Sequence, residues 1–348
     1  MKIRWISRYG DCLALAQRMA DEGHDVSVAL LDVPKHMGEG LVEHVDPWNA
    51  GLDEPTIILF DAPGRGRMAE GLAKQGHAVF GSSPLADSLE TPTFGRQVAQ
   101  SCGILIDDDA DGIPINLECW YVQGRPCPST QSASLELTRL FPGDLGPETN
   151  PISAITWFWR NPGNKLYAMT LSRIEDFLGR FGFTGPLTMK LVVRERDKRP
   201  VFRGFAGSLQ WPATHARMAD INISVAEWFA APAQGNTVTV SPTYEYCGAL
   251  RITVPPYPYP GAALDLPPRP VSGKLLPLDV RVQDGQMMTG GIDGVLGDVI
   301  ARHSDVQGLC AALYEAAKAV QVADKQYRAD VADDAERRLG TLHEWKYC

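Results

Sequence analysis

Several short stretches carry the residue types that could do chemistry. "FPGDLGPETN" (141–150) places Asp144, Glu148, Thr149 and Asn150 on turns forced by Gly143, Gly146 and Pro147. Such a loop can hold a small polar ligand through Asp144, Gly146, Pro147, Thr149 and Asn150, or simply close a surface turn, and spacing alone leaves both open. "SRYGD" (Ser7, Arg8, Tyr9, Gly10, Asp11) reads as a strand-to-helix turn whose amides could receive an anion. Asp11 argues against that, because its own carboxylate would occupy the helix end. "FDAPGRGRMAEG" carries Gly64-x-Gly66 between a strand and a helix, but Gly71 falls too late for a dinucleotide fingerprint, so a tight turn is the better reading. "DDDAD" (107–111) could gather a metal, although consecutive acids usually form a solvated turn. "PVFRGFAGSLQWPAT" (200–214) is notable for what it lacks. From Gly204 to Thr214 it has no Asp, Glu, His, Cys or Lys, and Arg203 is the nearby ionisable group.

These stretches need elements to position them. Residues 1–106 alternate strand and helix: "KIRWIS", then "GDCLALAQRMADEGH", "DVSVALLD", "PTIILFDA", "GRMAEGLAKQGH" and "AVFG". This βαβ order predicts a doubly wound parallel α/β sheet. His24 and His77 each follow a helix-ending glycine and precede a strand, so both read as turn residues. Ser82 and Ser83 before Pro84 read as a helix cap. Residues 115–255 are β-rich, with helices expected near 168–181 and 218–230, and fit an α+β layer of mixed or antiparallel strands. In "ITWFWR", Trp157, Phe158 and Trp159 are expected on a strand with alternating burial. The proline-dense 252–270 reads as a stiff boundary. Residues 271–300 look strand-like with turns at "DGQ" and "GIDG". Residues 306–339 look like one or two amphipathic helices, with "LHEWKYC" as a tail packed on the last of them. The expected division is therefore 1–106, 107–255 and 256–348, the last a small α/β domain.

The totals restrict the function class. With 348 residues the chain can build two or three domains with real cores. A net charge of −9 and no long basic run argue against nucleic acid as a partner. The seven cysteines are odd in number, scattered and without a CxxC, which fits reduced thiols in a cytoplasmic protein and gives no zinc spacing. The N-terminus is too polar for a signal peptide and no apolar run approaches a membrane span.

The order of motifs resembles glycinamide ribonucleotide synthetase (phosphoribosylamine–glycine ligase), an ATP-grasp enzyme, and more closely its divergent relatives in phage and bacterial genomes. Residues 60–104 resemble the family's N-terminal, pre-ATP-grasp domain. "INLECWYVQGRP" resembles the strand before its substrate loop, and "GDLGPETN" that loop. "GFTGPLTMKLVV" and "PVFRGFAGSLQWPAT" resemble its paired metal-binding strands, and "GKLLPLDVRVQDGQMMTGGIDGVLGDVIA" its C-terminal domain. The resemblance implies an ATP-grasp fold and, for an intact member, ATP- and magnesium-dependent carboxylate–amine ligation as in purine biosynthesis.

Departures from the family pattern point away from that activity. Ile106 and Ile115 are separated by only eight residues where the family inserts its small ATP-clamping lobe, which predicts a truncated large lobe. The metal-ligand positions that the resemblance implies fall on Thr188, Gly204 and Ala206, none of them acidic, with Lys190 and Arg203 nearby. "PISA" (151–154) replaces the family's glycine-rich turn. The expectation is a degenerate ATP-grasp protein with no catalytic or metal residues and no cofactor. It would act as a binding, scaffold or regulatory subunit whose partner is itself, an intact ATP-grasp paralogue or a small phosphorylated ligand. The alternatives are an active ligase, which would need ATP and magnesium, and a small-molecule or nucleotide sensor using the N-terminal turn.

Overall fold

The computed structural model describes residues 1–159, 164–259 and 267–348, so the middle of the proline-dense segment, 260–266, lies outside the described residues. The N-terminal part runs β1 (Lys2–Ser7), α1 (Leu13–Asp21), β2 (Asp25–Leu30), β3 (Glu43–His44), β4 (Ile57–Phe60), α2 (Gly66–Lys74), β5 (Ala78–Phe80), α3 (Pro84–Glu90) and α4 (Pro92–Ser101). Its strands form a five-stranded parallel sheet in the order β3-β2-β1-β4-β5, as the βαβ alternation predicts. The central strands are buried on both faces, which is why "IILF" reads as an unbroken apolar run. Ser83 caps α3 by accepting from the Ala86 amide, with Pro84 in the first turn.

The chain then supplies β6 (Gly112–Val122), β7 (Arg125–Phe141), β8 (Leu145–Phe158), α5 (Lys165–Met169), α6 (Glu175–Arg180), β9 (Gly185–Arg194), β10 (Pro200–Ala206), α7 (Ala213–Met218), α8 (Val225–Ala233) and β11 (Tyr246–Thr253). The last part adds β12 (Leu276–Pro277), β13 (Val280–Gln283), β14 (Gln286–Thr289), β15 (Val295–His303), α9 (Val306–Ala319) and α10 (Val331–Glu344). Eight strands join in the order β10-β9-β6-β7-β8-β11-β15-β12, and their described pairings are antiparallel. Residues beyond 256 thus contribute β12 and β15 to the same sheet as 112–253. The β6–β7 hairpin turns on Gln123 and Gly124, both with positive φ, the backbone that a tight two-residue hairpin requires.

The two sheets are joined by an aromatic core. Trp120 stacks on Trp228 at 4.8 Å, and Phe80, Trp5 and Phe229 pack around them. Helix α8, "VAEWFAAPA", is apolar on most of its surface because it is wedged between these layers. One local expectation is corrected and another extended. Residues 152–158 are buried without alternation, since the sheet is covered on both faces there. The C-terminal tail does not merely lie on α10: Tyr347 is 2% exposed and donates to the Lys198 carbonyl at the β9–β10 turn. No helix among the described residues is long and apolar enough to cross a membrane.

Candidate functional site

Antiparallel register places side chains of β10, β9, β6 and β7 in rows on one face of the large sheet. One row is Ala206, Thr188, Glu118 and Ser132; the next is Gly204, Lys190, Asn116 and Ser134. Thr188, Gly204 and Ala206, the positions matched to metal ligands, therefore lie side by side and offer no carboxylate. Glu118, which the sequence reading missed, is the acid in that row. It is 3% exposed and already committed, accepting from Arg217 at 2.8 Å, Trp120 Nε1 at 2.8 Å and Thr188 Oγ1 at 3.1 Å. Arg217, 2% exposed on α7, also donates to Ser132 and Thr214. A carboxylate neutralised this way does not fit magnesium, which needs one or two free carboxylates. Among the described residues no group of three or more His, Cys, Asp or Glu is placed to hold a metal ion.

The second row opens into a cleft of about 590 Å³. Asn116, Glu136, Arg139, Lys190, Arg203 and Arg338 line it, and Asp144, Thr149 and Asn150 of the 141–150 hairpin form part of its rim. The structure thus brings three of the hairpin candidates to one cavity. Gly146 and Pro147 stand outside that lining, with the Gly146 carbonyl accepting from Arg139. The hairpin is anchored from the far end of the chain: Arg328, 1% exposed, reaches Asp144 at 3.3 Å, and the Gly143 amide donates to Asp330. Burial raises the pKa of Glu136, although Asn116, Ser134 and the charge of Lys190 work against that. Position 204 is open: a Cβ built there meets nothing within 4 Å.

The "DDDAD" turn is bound by cations of this chain. Asp107 bridges Arg194 and Arg196 at 2.6 and 2.7 Å, and Asp108 pairs with Arg96 at 2.5 Å. Arg203 donates to the carbonyls of Asp107, Asp108 and Ala110. Those guanidinium contacts hold both carboxyls below their ordinary range. The arginines are the turn's counter-charge, where the ligase alternative would have placed a metal.

The N-terminal turn is also occupied. Asp61, at the end of β4, accepts from Ser7 Oγ at 2.5 Å and from the amides of Cys12 at 3.0 Å and Arg8 at 3.2 Å. Gly10 donates to Ser7 Oγ, while Arg8 pairs with Asp32 and sits 4.9 Å over the Tyr9 ring. The carboxylate at the start of α1 is therefore Asp61, not Asp11. Asp11 instead lies near a second buried group, Arg251, His215 and Asp298. There Arg251 and His215 contact Asp298 at 3.0 and 2.7 Å. Burial, with the charge of Asp61, pushes Asp11 to about 6. Burial would also raise Asp298, but Arg251 and His215 outweigh it and hold that carboxyl at about 2. Gly64 and Gly66 follow the same pattern: their amides donate to Asp87 at 2.9 and 2.8 Å. Asp61 had one sequence signal, an acid closing an apolar parallel strand, where open α/β sheets gather polar function. Glu118–Arg217 had none, because its partners are far apart in the chain.

No protein-family model and no curated protein sequence matches the chain. Solved structures match in fold. Phosphoribosylamine–glycine ligase from Thermotoga maritima aligns at a TM-score of 0.70 and 15% identity, over 95% of this chain and 100% of that one. Urea carboxylase from Kluyveromyces lactis aligns at 0.67 and 11% identity over 99% of this chain, which spans about a third (32%) of that enzyme. The biotin carboxylase domain of a single-chain bacterial carboxylase gives 0.65 and 11% identity, covering 99% of each chain. At these identities the likeness shows a shared fold, that of phosphoribosylamine–glycine ligase and the biotin carboxylase domain, consistent with the ATP-grasp architecture.

Proposed function

We propose that this protein is a degenerate ATP-grasp chain that does not run magnesium-ATP-dependent ligation by itself and serves as a binding, scaffold or regulatory subunit. One observation carries the reading. The positions matched to metal ligands, Thr188, Gly204 and Ala206, carry no acid, and the neighbouring Glu118 is neutralised by Arg217. Phosphoryl transfer rests on positioning and on cationic neutralisation of phosphate oxygens, so losing the metal's ligands removes its main resource. The short connection from Ser101 to Gly112 supports the same reading, since it leaves no length there for a clamping lobe. In this reading the large sheet is a truncated ATP-grasp lobe, and the partner is a second copy or an intact ATP-grasp relative.

Calorimetry with ATP and magnesium tests it, with no saturable heat expected. Micromolar binding, or ADP release dependent on glycine and an aminosugar phosphate, would overturn the proposal in favour of the ligase alternative. Retention of an ATP-grasp relative during purification of the tagged protein would support the scaffold role.

A further inference from the structure

We propose that the cleft on the β6–β7–β9–β10 face takes a small polyanion, a compact molecule bearing at least two phosphate or carboxylate groups, directly on Arg139, Lys190 and Arg203 and without a metal ion. The proposal rests on the preceding reading that the metal ligands are gone, and adds what the emptied face binds.

The cations come first. Lys190 points from the interior strand β9 into the cavity, and it makes no hydrogen bond or ion pair among the described residues. Arg139 and Arg203 donate only to backbone carbonyls, so neither has a carboxylate in ion-pair contact among the described residues. Arg338, the fourth cation of the lining, is satisfied by Asp334. Lys190 and Arg139 thus line one cavity without a carboxylate partner among the described residues, and Arg203 adds its charge from the rim, where its guanidinium also donates to the 107–110 turn, in a chain of net charge −9.

Elsewhere this chain fills its anion-receiving groups with its own acids. Asp61 takes the amides of Arg8 and Cys12, Asp87 those of Gly64 and Gly66, and Glu90 the Gly207 amide. Glu22 takes the first amides of α8, and Asp279 those of Ile292, Asp293 and Gly294. In the cleft, Lys190 and Arg139 have no such acid in ion-pair contact among the described residues. Its acids are outnumbered: four cations face Asp144, which is engaged by Arg328, and Glu136, which accepts from Ser134 and offsets part of the charge of Lys190.

Shape agrees. Position 204 has open space, and Gly204 pairs with Lys190 in register, so open space lies beside the base of the Lys190 side chain. Asn116, Thr149 and Asn150 offer amide and hydroxyl groups to the ligand's remaining oxygens. A single charge could not engage all three cations, which is why the ligand is a polyanion.

The test is calorimetry in metal-free buffer, treated with a chelating resin, with inorganic pyrophosphate and with citrate as probes, and orthophosphate as the single-phosphate comparison. Saturable binding of pyrophosphate or citrate is expected, on the order of tenfold tighter than orthophosphate, and weakening as salt rises. Whichever probe binds tighter identifies the phosphate or the carboxylate source. Lys190→Met should weaken binding about tenfold, and Gly204→Glu should abolish it by placing a carboxylate beside the ammonium. Lys190 lines the cleft and a Cβ at position 204 meets nothing within 4 Å, so both variants should fold, and Lys318→Met on an exposed helix should change nothing. Absence of binding in the metal-free buffer, or binding indifferent to Lys190→Met and Gly204→Glu, overturns this proposal and leaves the non-ligase reading standing. Binding that requires magnesium overturns both.

Discussion

Replacing Glu118 with Gln asks whether the acid in the metal row is structural. Gln keeps the shape and can still accept from Trp120 Nε1 or Thr188 Oγ1, which approach at 2.8 and 3.1 Å. What disappears is the countercharge of Arg217, a guanidinium 2% exposed and 2.8 Å from the carboxylate. Ser132 and Thr214 remain as neutral acceptors, so the cost is that of a buried, uncompensated charge, about 3–5 kcal/mol. At roughly 2 °C per kcal/mol for a chain this long, the melting temperature should fall by roughly 6–10 °C. Adding Arg217→Met removes the stranded charge, and the double variant should recover most of the loss. Binding of Mn²⁺, followed by water-proton relaxation, should be equally weak in the original chain and in Glu118→Gln. A loss below about 1 kcal/mol would show that Arg217 has other compensation. A change in Mn²⁺ affinity would make Glu118 a metal ligand and remove the main support for the proposed function.

Other perturbations test the buried charges. Asp11 sits at about 6, so the folded state binds its proton more tightly than the unfolded one, and stability falls as pH rises from about 4 to 6. Asp11→Asn should therefore raise the melting temperature at pH 7.5, by up to about 3 kcal/mol of stability, and leave it unchanged at pH 4; a loss at pH 7.5 would refute this. Asp298 behaves oppositely. Held at about 2, it contributes stability above pH 4 that fades as pH drops towards 2. Asp298→Asn should thus cost about 2–3 kcal/mol at pH 7 in urea titrations and converge on the original chain only at about pH 2 and below. Asp87→Ala should strand the amides of Gly64 and Gly66 at a cost of about 1–3 kcal/mol, and added sulfate should restore part of it only in the variant.

Much of the architecture is legible in the order of residues. Apolar runs separated by helical periods in 1–106 dictate a parallel sheet, because buried strands need crossovers and the helices between them supply that length. Glycine and turn residues at 123–124 and 284–285 set hairpins through backbone freedom. The burial of 152–158 was not legible: whether a strand is covered on one face or two depends on what packs over it, and that comes from distant segments.

The same division holds at the site. The sequence by itself determined which chemistry is absent, since folding cannot create a carboxylate at 188, 204 or 206. It also placed Lys190 and Arg203 beside those positions. Only the tertiary structure decided which of the remaining charges are spent. Glu118 meets Arg217, Asp144 meets Arg328 and Asp61 meets Ser7 across separations that no local pattern encodes. Strand register and the seating of α7 and the C-terminal segment bring these groups within hydrogen-bond range. Among the described residues Lys190 and Arg139 acquire no ion-pair contact, and that difference between paired and unpaired charge is a property of the packed chain alone.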